Sequence, residues 1–210
     1  MATVRTLGIV IAGGLGVRLG HGAPKALVPV AGKTLLDRAL RLLESCCDDV
    51  VVAAPSGRAL PIAGRSRVDD VPGAAGPLAG LVAGLAARPF ERAIVVGVDF
   101  PLMRAPTLEA LVARLERDRV VVVIPAPGGV PQPLAAAYGS DALRPLAESL
   151  AAGERSITAA VLALGHTLVG DAELASMGGG LEDFFNLNTP EDLLEAERRL
   201  AARHTVSGPR

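Results

Sequence analysis

The chain has 210 residues, with 21 lysines and arginines against 22 aspartates and glutamates. This balance gives no basic field for nucleic acid or for an anionic membrane surface. Half of the residues are hydrophobic but only 2% are aromatic, which disfavours a site built on aromatic stacking against bases. The adjacent Cys46 and Cys47 supply neither a disulfide framework nor a four-ligand zinc site. We therefore predict one cytoplasmic domain over residues 1–203 and a frayed tail over residues 204–210.

An apolar stretch over residues 6–17 superficially resembles a signal peptide. The alternative is a buried first strand that runs into a glycine-rich turn, as at the start of many α/β domains, and we adopt it. Two uncharged runs, over residues 71–87 and 120–140, approach the length of a membrane span. Both contain several prolines, which interrupt the backbone bonding that a spanning helix of about 20 residues needs. The sequence predicts no membrane segment.

Apolar runs rich in β-branched residues alternate with amphipathic stretches along the chain. The runs predict buried strands over residues 7–12, 50–54, 93–98 and 120–124. Because these runs do not alternate with polar residues, both faces of the sheet should be covered by helices. The amphipathic stretches predict helices over residues 34–45, 107–117, 142–152, 158–164 and 191–203. The alternation predicts a three-layer α/β/α sandwich around a mostly parallel, Rossmann-like sheet.

A glycine-rich turn follows the first predicted strand. The strand end and the turn contain Ile11, Ala12, Gly13, Gly14 and Gly16. Glycines let the backbone approach a ligand closely, and consecutive N–H groups can form a nest for an anion. The spacing matches neither the dinucleotide fingerprint nor the Walker loop. A tight turn without a ligand is the alternative interpretation.

Lys25 follows this turn and is one of only two lysines in the chain, the other being Lys33. A lysine beside a phosphate nest would neutralise a triphosphate. The alternative is a solvated surface lysine. The scarcity of lysine favours the phosphate-binding interpretation.

Four segments together resemble the molybdenum cofactor guanylyltransferase family of the nucleotidyltransferase superfamily. They are the glycine-rich opening with Arg18 and Pro24-Lys25, the loop over residues 70–80, Gly97-Val98-Asp99-Phe100-Pro101, and the segment over residues 184–193. Weaker matches are Gln132-Pro133-Leu134 ahead of Tyr138, and Gly153-Glu154-Arg155. The resemblance extends over residues 7–200. The chain departs from the family at Pro24, where aspartate is usual, and at residues 53–55, where an asparagine is often found.

The resemblance implies that the terminal phosphate of the molybdopterin cofactor attacks the α-phosphorus of GTP, with Mg²⁺ as cofactor and pyrophosphate as leaving group. Catalytic roles then fall to Arg18 and Lys25 on the triphosphate and to Asp99 on Mg²⁺. The residues expected to bind the nucleotide are Ile11, Ala12, Gly13, Gly14, Gly16, Lys25, Asp69, Asp70, Gly76, Pro77, Leu78, Ala79, Gly80 and Asp99. The residues expected to face the acceptor are Gln132, Asn186 and Asn188. Transient contact with cofactor-delivering proteins or molybdoenzymes is also implied.

Several of these positions keep a structural alternative. Asp99 follows a predicted strand, where a lone carboxylate suits Mg²⁺, but it could cap the following turn. One of Asp69 and Asp70 could accept from a ribose hydroxyl or a guanine edge, and the sequence does not decide which. The loop over residues 76–80 could recognise the base through its backbone or pack a helix closely on the sheet. Asn188 could equally cap the last helix.

Three other functions remain compatible with the sequence. One is a sibling enzyme that uses CTP on the same cofactor. Another is a transferase that acts on a sugar or cobinamide phosphate. The third is a nucleotide-binding regulatory module that has lost catalysis, although Asp99 argues against a broken metal site.

Overall fold

The computed structural model describes residues 3–14, 16, 24–62 and 64–206. A seven-stranded sheet forms the centre of the fold. In spatial order its strands are β5 (Ser66–Asp69), β4 (Asp49–Ala54), β1 (Val4–Ile11), β6 (Phe90–Gly97), β8 (Ala135–Gly139), β7 (Val122–Pro125) and β9 (His166–Val169). Every neighbouring pair is parallel except those of β8, which runs antiparallel to β6 and to β7. Two short strands, β2 (Pro29–Val30) and β3 (Lys33–Thr34), form a separate antiparallel hairpin.

Helices cover both faces of the sheet. They are α1 (Leu35–Glu44), α2 (Pro77–Ala86), α3 (Ala105–Asp118), α4 (Leu143–Ala151), α5 (Ile157–Leu162), α6 (Asp171–Leu174) and α7 (Pro190–Val206). Successive residues of β1 point to opposite faces: Val10 packs in the core beneath α1, α3 and α7, and Ile9 in the core beneath α2, α4 and α5. The predicted three-layer sandwich is confirmed.

The predicted strands and helices are all present, with ends that differ by a few residues. Thr34 caps α1, because its side chain accepts from the backbone N–H of Asp37. The last helix extends to Val206, three residues past its predicted end at Arg203, and residues 207–210 lie outside the described part of the chain. The helices of the described residues are too short or too polar to span a bilayer.

The antiparallel strand β8 has no counterpart among the predicted strands. Its sequence is Ala-Ala-Ala-Tyr-Gly, and alanine has a low intrinsic preference for strands. The strand forms because it is paired on both sides and buried, and the Tyr138 hydroxyl donates to the Pro133 carbonyl at 2.7 Å. The strand is therefore stabilised by tertiary packing of small side chains, and a local sequence pattern does not indicate such packing.

The parallel strands β1, β4, β5 and β6 end at the same edge of the sheet. Helix α2 lies very close to this sheet, since a Cβ on Gly84 would stand 2.4 Å from Cγ2 of Ile9. The close approach places the first turn of α2 over the carboxyl ends of the strands. Ligands of open α/β sheets bind at this edge.

Candidate functional site

A cavity of about 270 Å³ opens at the carboxyl edge of the sheet, between the ends of β1 and β6 and the start of α2. Many of the predicted site residues line it. They are Ile11, Gly13, Gly14, Lys25, Asp70, Gly76, Pro77, Gly80 and Asp99. Pro55, Gly97, Val98 and Leu134 complete the wall, and sequence reasoning had assigned none of them to the site. Arg18 lies outside the described residues.

Lys25 extends from a short 3₁₀ turn (Lys25–Leu27) along the cavity wall. Its side chain is only 11% exposed, so it is not a solvated surface lysine. The ammonium nitrogen donates to Oδ1 of Asn188 at 2.9 Å and lies 3.5 Å from Oδ2 of Asp99. The fold therefore brings together residues that are separated by up to 163 positions in the chain.

Asp99 stands just beyond the end of β6, where the sequence had placed it. A Cβ on Gly97 would lie 2.4 Å from Oδ1 of Asp99, so glycine leaves the space that this carboxylate occupies. The Asp99 carbonyl accepts from the backbone N–H of Leu187 at 2.9 Å. This bond holds the extended segment that carries Asn186 and Asn188 beside the strand end.

Asp69 and Asp70, which the sequence could not separate, have different surroundings. Asp69 pairs with Arg67 on the same strand at 2.9 Å, and its side chain is 54% exposed. Asp70 lines the cavity, and its backbone N–H donates to the Ala54 carbonyl at 3.1 Å. Burial raises the pKa of the Asp70 carboxyl above its ordinary value, and the nearby Arg58 guanidinium opposes that shift. Asp70 is the carboxylate of the pair that faces the cavity.

The first turn of α2 combines the two interpretations that the sequence left open. Gly76, Pro77 and Gly80 line the cavity, whereas Leu78 and Ala79 are fully buried in the core. Gly76 has a φ of 97°, which favours glycine. The same turn therefore packs the helix on the sheet and presents backbone to the cavity.

The turn after β1 exposes two backbone donors. The amides of Gly13 and Gly14 donate to no acceptor among the described residues. The buried Ala12 instead donates its N–H to the Ala53 carbonyl at 2.9 Å and faces the core. Gly16 has a φ of 64° and lies outside the cavity wall. Two free amides and the Lys25 ammonium in the wall of one cavity make it suited to an anion.

The three residues expected to face an acceptor are dispersed. Gln132 is not part of the cavity wall, and its side-chain amide donates to the Val130 carbonyl at 3.3 Å. Asn186 has a buried Oδ1 that accepts no hydrogen bond in the described structure. Asn188 reaches the site through its bond to Lys25. Among the described residues, Asn188 is the one of the three whose side chain forms a hydrogen bond with a cavity residue.

Sequence reasoning missed Arg58, which lies on the loop after β4. Its Nη1 nitrogen contacts three carbonyl oxygens of the turn after β1. A solitary arginine in a loop carries no recognisable pattern, so the sequence offers no signal for this contact.

Comparisons with known proteins identify relatives of this chain. The chain is 38% identical to a probable molybdenum cofactor guanylyltransferase from Chloroflexus aggregans, over 89% of this chain and 90% of that protein. It is 30% identical to a molybdenum cofactor guanylyltransferase from Desulfosudis oleivorans, over 93% and 96%. The structure of molybdopterin-guanine dinucleotide biosynthesis protein A from Archaeoglobus fulgidus superimposes with a TM-score of 0.79 at 26% identity, covering 93% of this chain and 99% of that one.

A more distant structure shows how widely the fold is shared. The 2-C-methyl-D-erythritol 4-phosphate cytidylyltransferase from Thermus thermophilus superimposes with a TM-score of 0.65 at 23% identity, covering 95% of this chain and 100% of that one. Residues 8–167 match the family described as the MobA-like NTP transferase domain. The match extends over the strands and loops that build the cavity, and the chain belongs to this family.

Proposed function

We propose that this protein transfers the guanylyl group of GTP to the terminal phosphate of the molybdopterin cofactor and releases pyrophosphate. The observation that carries the proposal is the meeting of the Lys25 ammonium, the Asp99 carboxylate and the free amides of Gly13 and Gly14 in one cavity. A cation and amide donors suit the phosphates of a nucleotide, and a lone carboxylate at the same cavity could hold a divalent metal ion. The names of the relatives support guanine as the base and molybdopterin as the acceptor.

The reaction needs positioning and charge neutralisation rather than a nucleophile on the enzyme. An oxygen of the acceptor phosphate forms a bond to the α-phosphorus of GTP. The bond from that phosphorus to the α–β bridging oxygen breaks, and the electron pair leaves with pyrophosphate. Lys25 and the amides of Gly13 and Gly14 bind the phosphate oxygens and offset the charge that moves to the leaving group.

Magnesium fits the side chains that are present. In the described part of the chain, no cluster of three or more His, Cys, Asp or Glu side chains forms a complete metal cage. Mg²⁺ keeps several waters and commonly takes one or two carboxylates together with phosphate oxygens, so the single Asp99 carboxylate is a sufficient protein ligand. The space left by the missing Cβ of Gly97 accommodates that carboxylate at the cavity wall. When bound, the ion neutralises charge on the phosphates.

The nucleoside would lie against Asp70 and the first turn of α2. An ionised Asp70 carboxylate accepts hydrogen bonds from the N1–H and amino groups of guanine or from a ribose hydroxyl. Gly80 keeps that carboxylate clear of the helix, since a Cβ there would lie 3.2 Å from Oδ1 of Asp70. Backbone groups of Gly76 and Pro77 line the same cavity, and its described wall includes no aromatic side chain.

A thermal-shift series with GTP, CTP, ATP and UTP in the presence of Mg²⁺ tests the proposal. A ligand that binds only the folded state raises the midpoint according to its affinity, so GTP should give the largest increase. An equal or larger increase with CTP would assign the protein to the CTP-using reaction instead. The absence of any increase with all four nucleotides would contradict the enzyme assignment.

A further inference from the structure

Arg58 contacts three consecutive carbonyl oxygens of the turn after β1. Its Nη1 nitrogen lies 3.2 Å from the oxygen of Ala12, 2.9 Å from that of Gly13 and 3.0 Å from that of Gly14. Carbonyl oxygens carry partial negative charge, so three of them directed at one point repel one another unless a cation lies between them. The guanidinium supplies that cation.

The orientation of these carbonyls fixes the orientation of the amides that follow them. In a trans peptide, the carbonyl of one residue and the N–H of the next point in opposite directions. The described chain contains no cis peptide bond. The amides of Gly13 and Gly14 therefore point away from Arg58, and neither donates to an acceptor in the described structure. Successive free backbone amides in a turn can form an anion-binding nest.

We propose that Arg58 is a positioning residue for the triphosphate site and that it acts on the phosphates through the backbone of Ala12, Gly13 and Gly14. The inference rests on the proposed function, because it places the phosphates of the nucleotide on the Gly13 and Gly14 amides. Without the guanidinium, the repelling carbonyls turn apart, and the amides lose the orientation that Arg58 holds.

Arg58 is itself held in place from the edge of the sheet. Arg67 on β5 donates from Nη2 to the Pro55 carbonyl at 2.8 Å and from Nη1 to the Arg58 carbonyl. Arg67 in turn pairs with Asp69 at 2.9 Å. The contacts thus run from Asp69 through Arg67 and Arg58 to the glycine turn. This gives Asp69 a supporting role beside its neighbour Asp70, which faces the cavity.

Arg58→Ala and Arg38→Ala form a matched pair of variants. Arg38 also holds consecutive carbonyls, those of Val30 and Ala31, but neither of these residues lines the cavity. Calorimetry with Mg²⁺ would measure the affinities for GTP and for inorganic tripolyphosphate. Tripolyphosphate has no nucleoside, so it isolates the phosphate site from any effect of Arg58 on Asp70.

We expect Arg58→Ala to weaken both ligands by a similar factor of about tenfold or more, the scale of losing a hydrogen bond to a charged group. Arg38→Ala should leave both affinities within about twofold of the parent, as expected for a change away from the site. Where Arg58→Ala is too unstable to measure, Arg58→Gln removes the same charge, keeps part of the stem and should give the same loss.

Amide NMR spectra separate positioning from direct contact with phosphate. Saturating tripolyphosphate should shift the Gly13 and Gly14 amide signals in both proteins. The shifts should be smaller in Arg58→Ala than in the parent. Equal shifts at saturation would overturn the positioning role, as would parent-like affinity in Arg58→Ala. A parent protein that binds neither GTP nor tripolyphosphate would overturn the proposed function as well. Binding by the parent with an unaffected Arg58→Ala variant would overturn this inference alone.

Discussion

Two carboxylates of this fold, Asp183 and Asp99, have opposite surroundings. Asp183 has a side chain with no exposed area, and it accepts from the Arg104 backbone and Nε and from the Thr107 hydroxyl at 2.6 Å. Asp99 is 23% exposed and lies on the wall of an open cavity, and among the described residues its ion pair is with Lys25, at 3.5 Å. A carboxylate whose hydrogen bonds are complete holds structure together, and one whose bonds are incomplete remains available to a ligand.

The two carboxylates are nevertheless connected. Asp183 anchors the 3₁₀ turn Gly180–Phe184 to the start of α3. A few residues later, the Leu187 N–H donates to the Asp99 carbonyl, and Asn188 binds Lys25. Asp183, whose hydrogen bonds are complete, therefore fixes the segment that closes one side of the site around Asp99.

The largest effect on stability should come from removing the Asp183 carboxylate, whose hydrogen bonds are complete. Asp183→Ala leaves the Arg104 guanidinium and the Thr107 hydroxyl without their shared acceptor. We expect the free energy of unfolding to fall by about 3 kcal/mol, because the buried Thr107 hydroxyl and the Arg104 backbone N–H both lose their acceptor and each unsatisfied donor costs about 1–3 kcal/mol. Urea denaturation would measure the loss. Glu182→Ala, which removes a partly exposed partner of Arg203, is the control and should cost under about 1 kcal/mol.

Asp99→Asn should leave stability nearly unchanged and lower turnover. The shape of the side chain is retained, so the thermal midpoint should stay close to that of the parent. Turnover should fall about 100-fold or more, as when one electrostatic stabiliser of a transition state is removed. Pyrophosphate release from GTP with molybdopterin as acceptor, at saturating Mg²⁺, measures this change. Unchanged turnover would rule out Asp99 as the metal ligand.

Lys25→Met tests the cation beside Asp99. Methionine keeps an apolar stem of similar length in this largely buried position, so it suits the site better than alanine. We expect GTP affinity to fall about tenfold, the scale of one charge-assisted hydrogen bond. Lys33→Met is the matched control, because Lys33 is exposed on the β2–β3 hairpin. Calorimetric titration with GTP and Mg²⁺ measures the affinities of both variants. A Lys25→Met variant that bound GTP as tightly as the parent would contradict the assignment of Lys25 to the triphosphate.

The smallest effect concerns pH and Asp70. Burial raises the pKa of this carboxyl above the ordinary aspartate value of 3.8, so the folded protein takes up the proton at a higher pH than the unfolded chain. Within that window, acidification favours the folded state through this group, but it removes the ionised acceptor in the contact with guanine that we propose for Asp70. GTP affinity and the Asp70 contribution to stability should therefore change in opposite directions as pH falls. Parallel titrations of the parent and Asp70→Asn measure this, and an identical pH dependence of GTP binding in both would contradict it.

The fold was predictable wherever one strand or helix carried its own pattern. The β-branched runs of β1, β4, β6 and β7 and the amphipathic helices follow from the sequence. Strand β8 does not, because its alanines become a strand only through pairing on both sides. The sequence also indicated Lys25 and Asp99 as members of one site. The contact of Lys25 with Asn188 and that of Arg58 with the glycine turn join residues far apart in the chain, so local sequence spacing does not predict them.

A single-turnover reaction with GTP labelled at the α-phosphorus tests the central claim most directly. With molybdopterin and Mg²⁺ present, the label should appear in the molybdopterin product in an amount equal to the pyrophosphate released. Asp99→Asn should show little transfer, and unlabelled CTP in excess should compete poorly with GTP. Pyrophosphate release without transfer of the label to molybdopterin, or more efficient transfer from labelled CTP, would contradict the assignment of this cavity to guanylyl transfer.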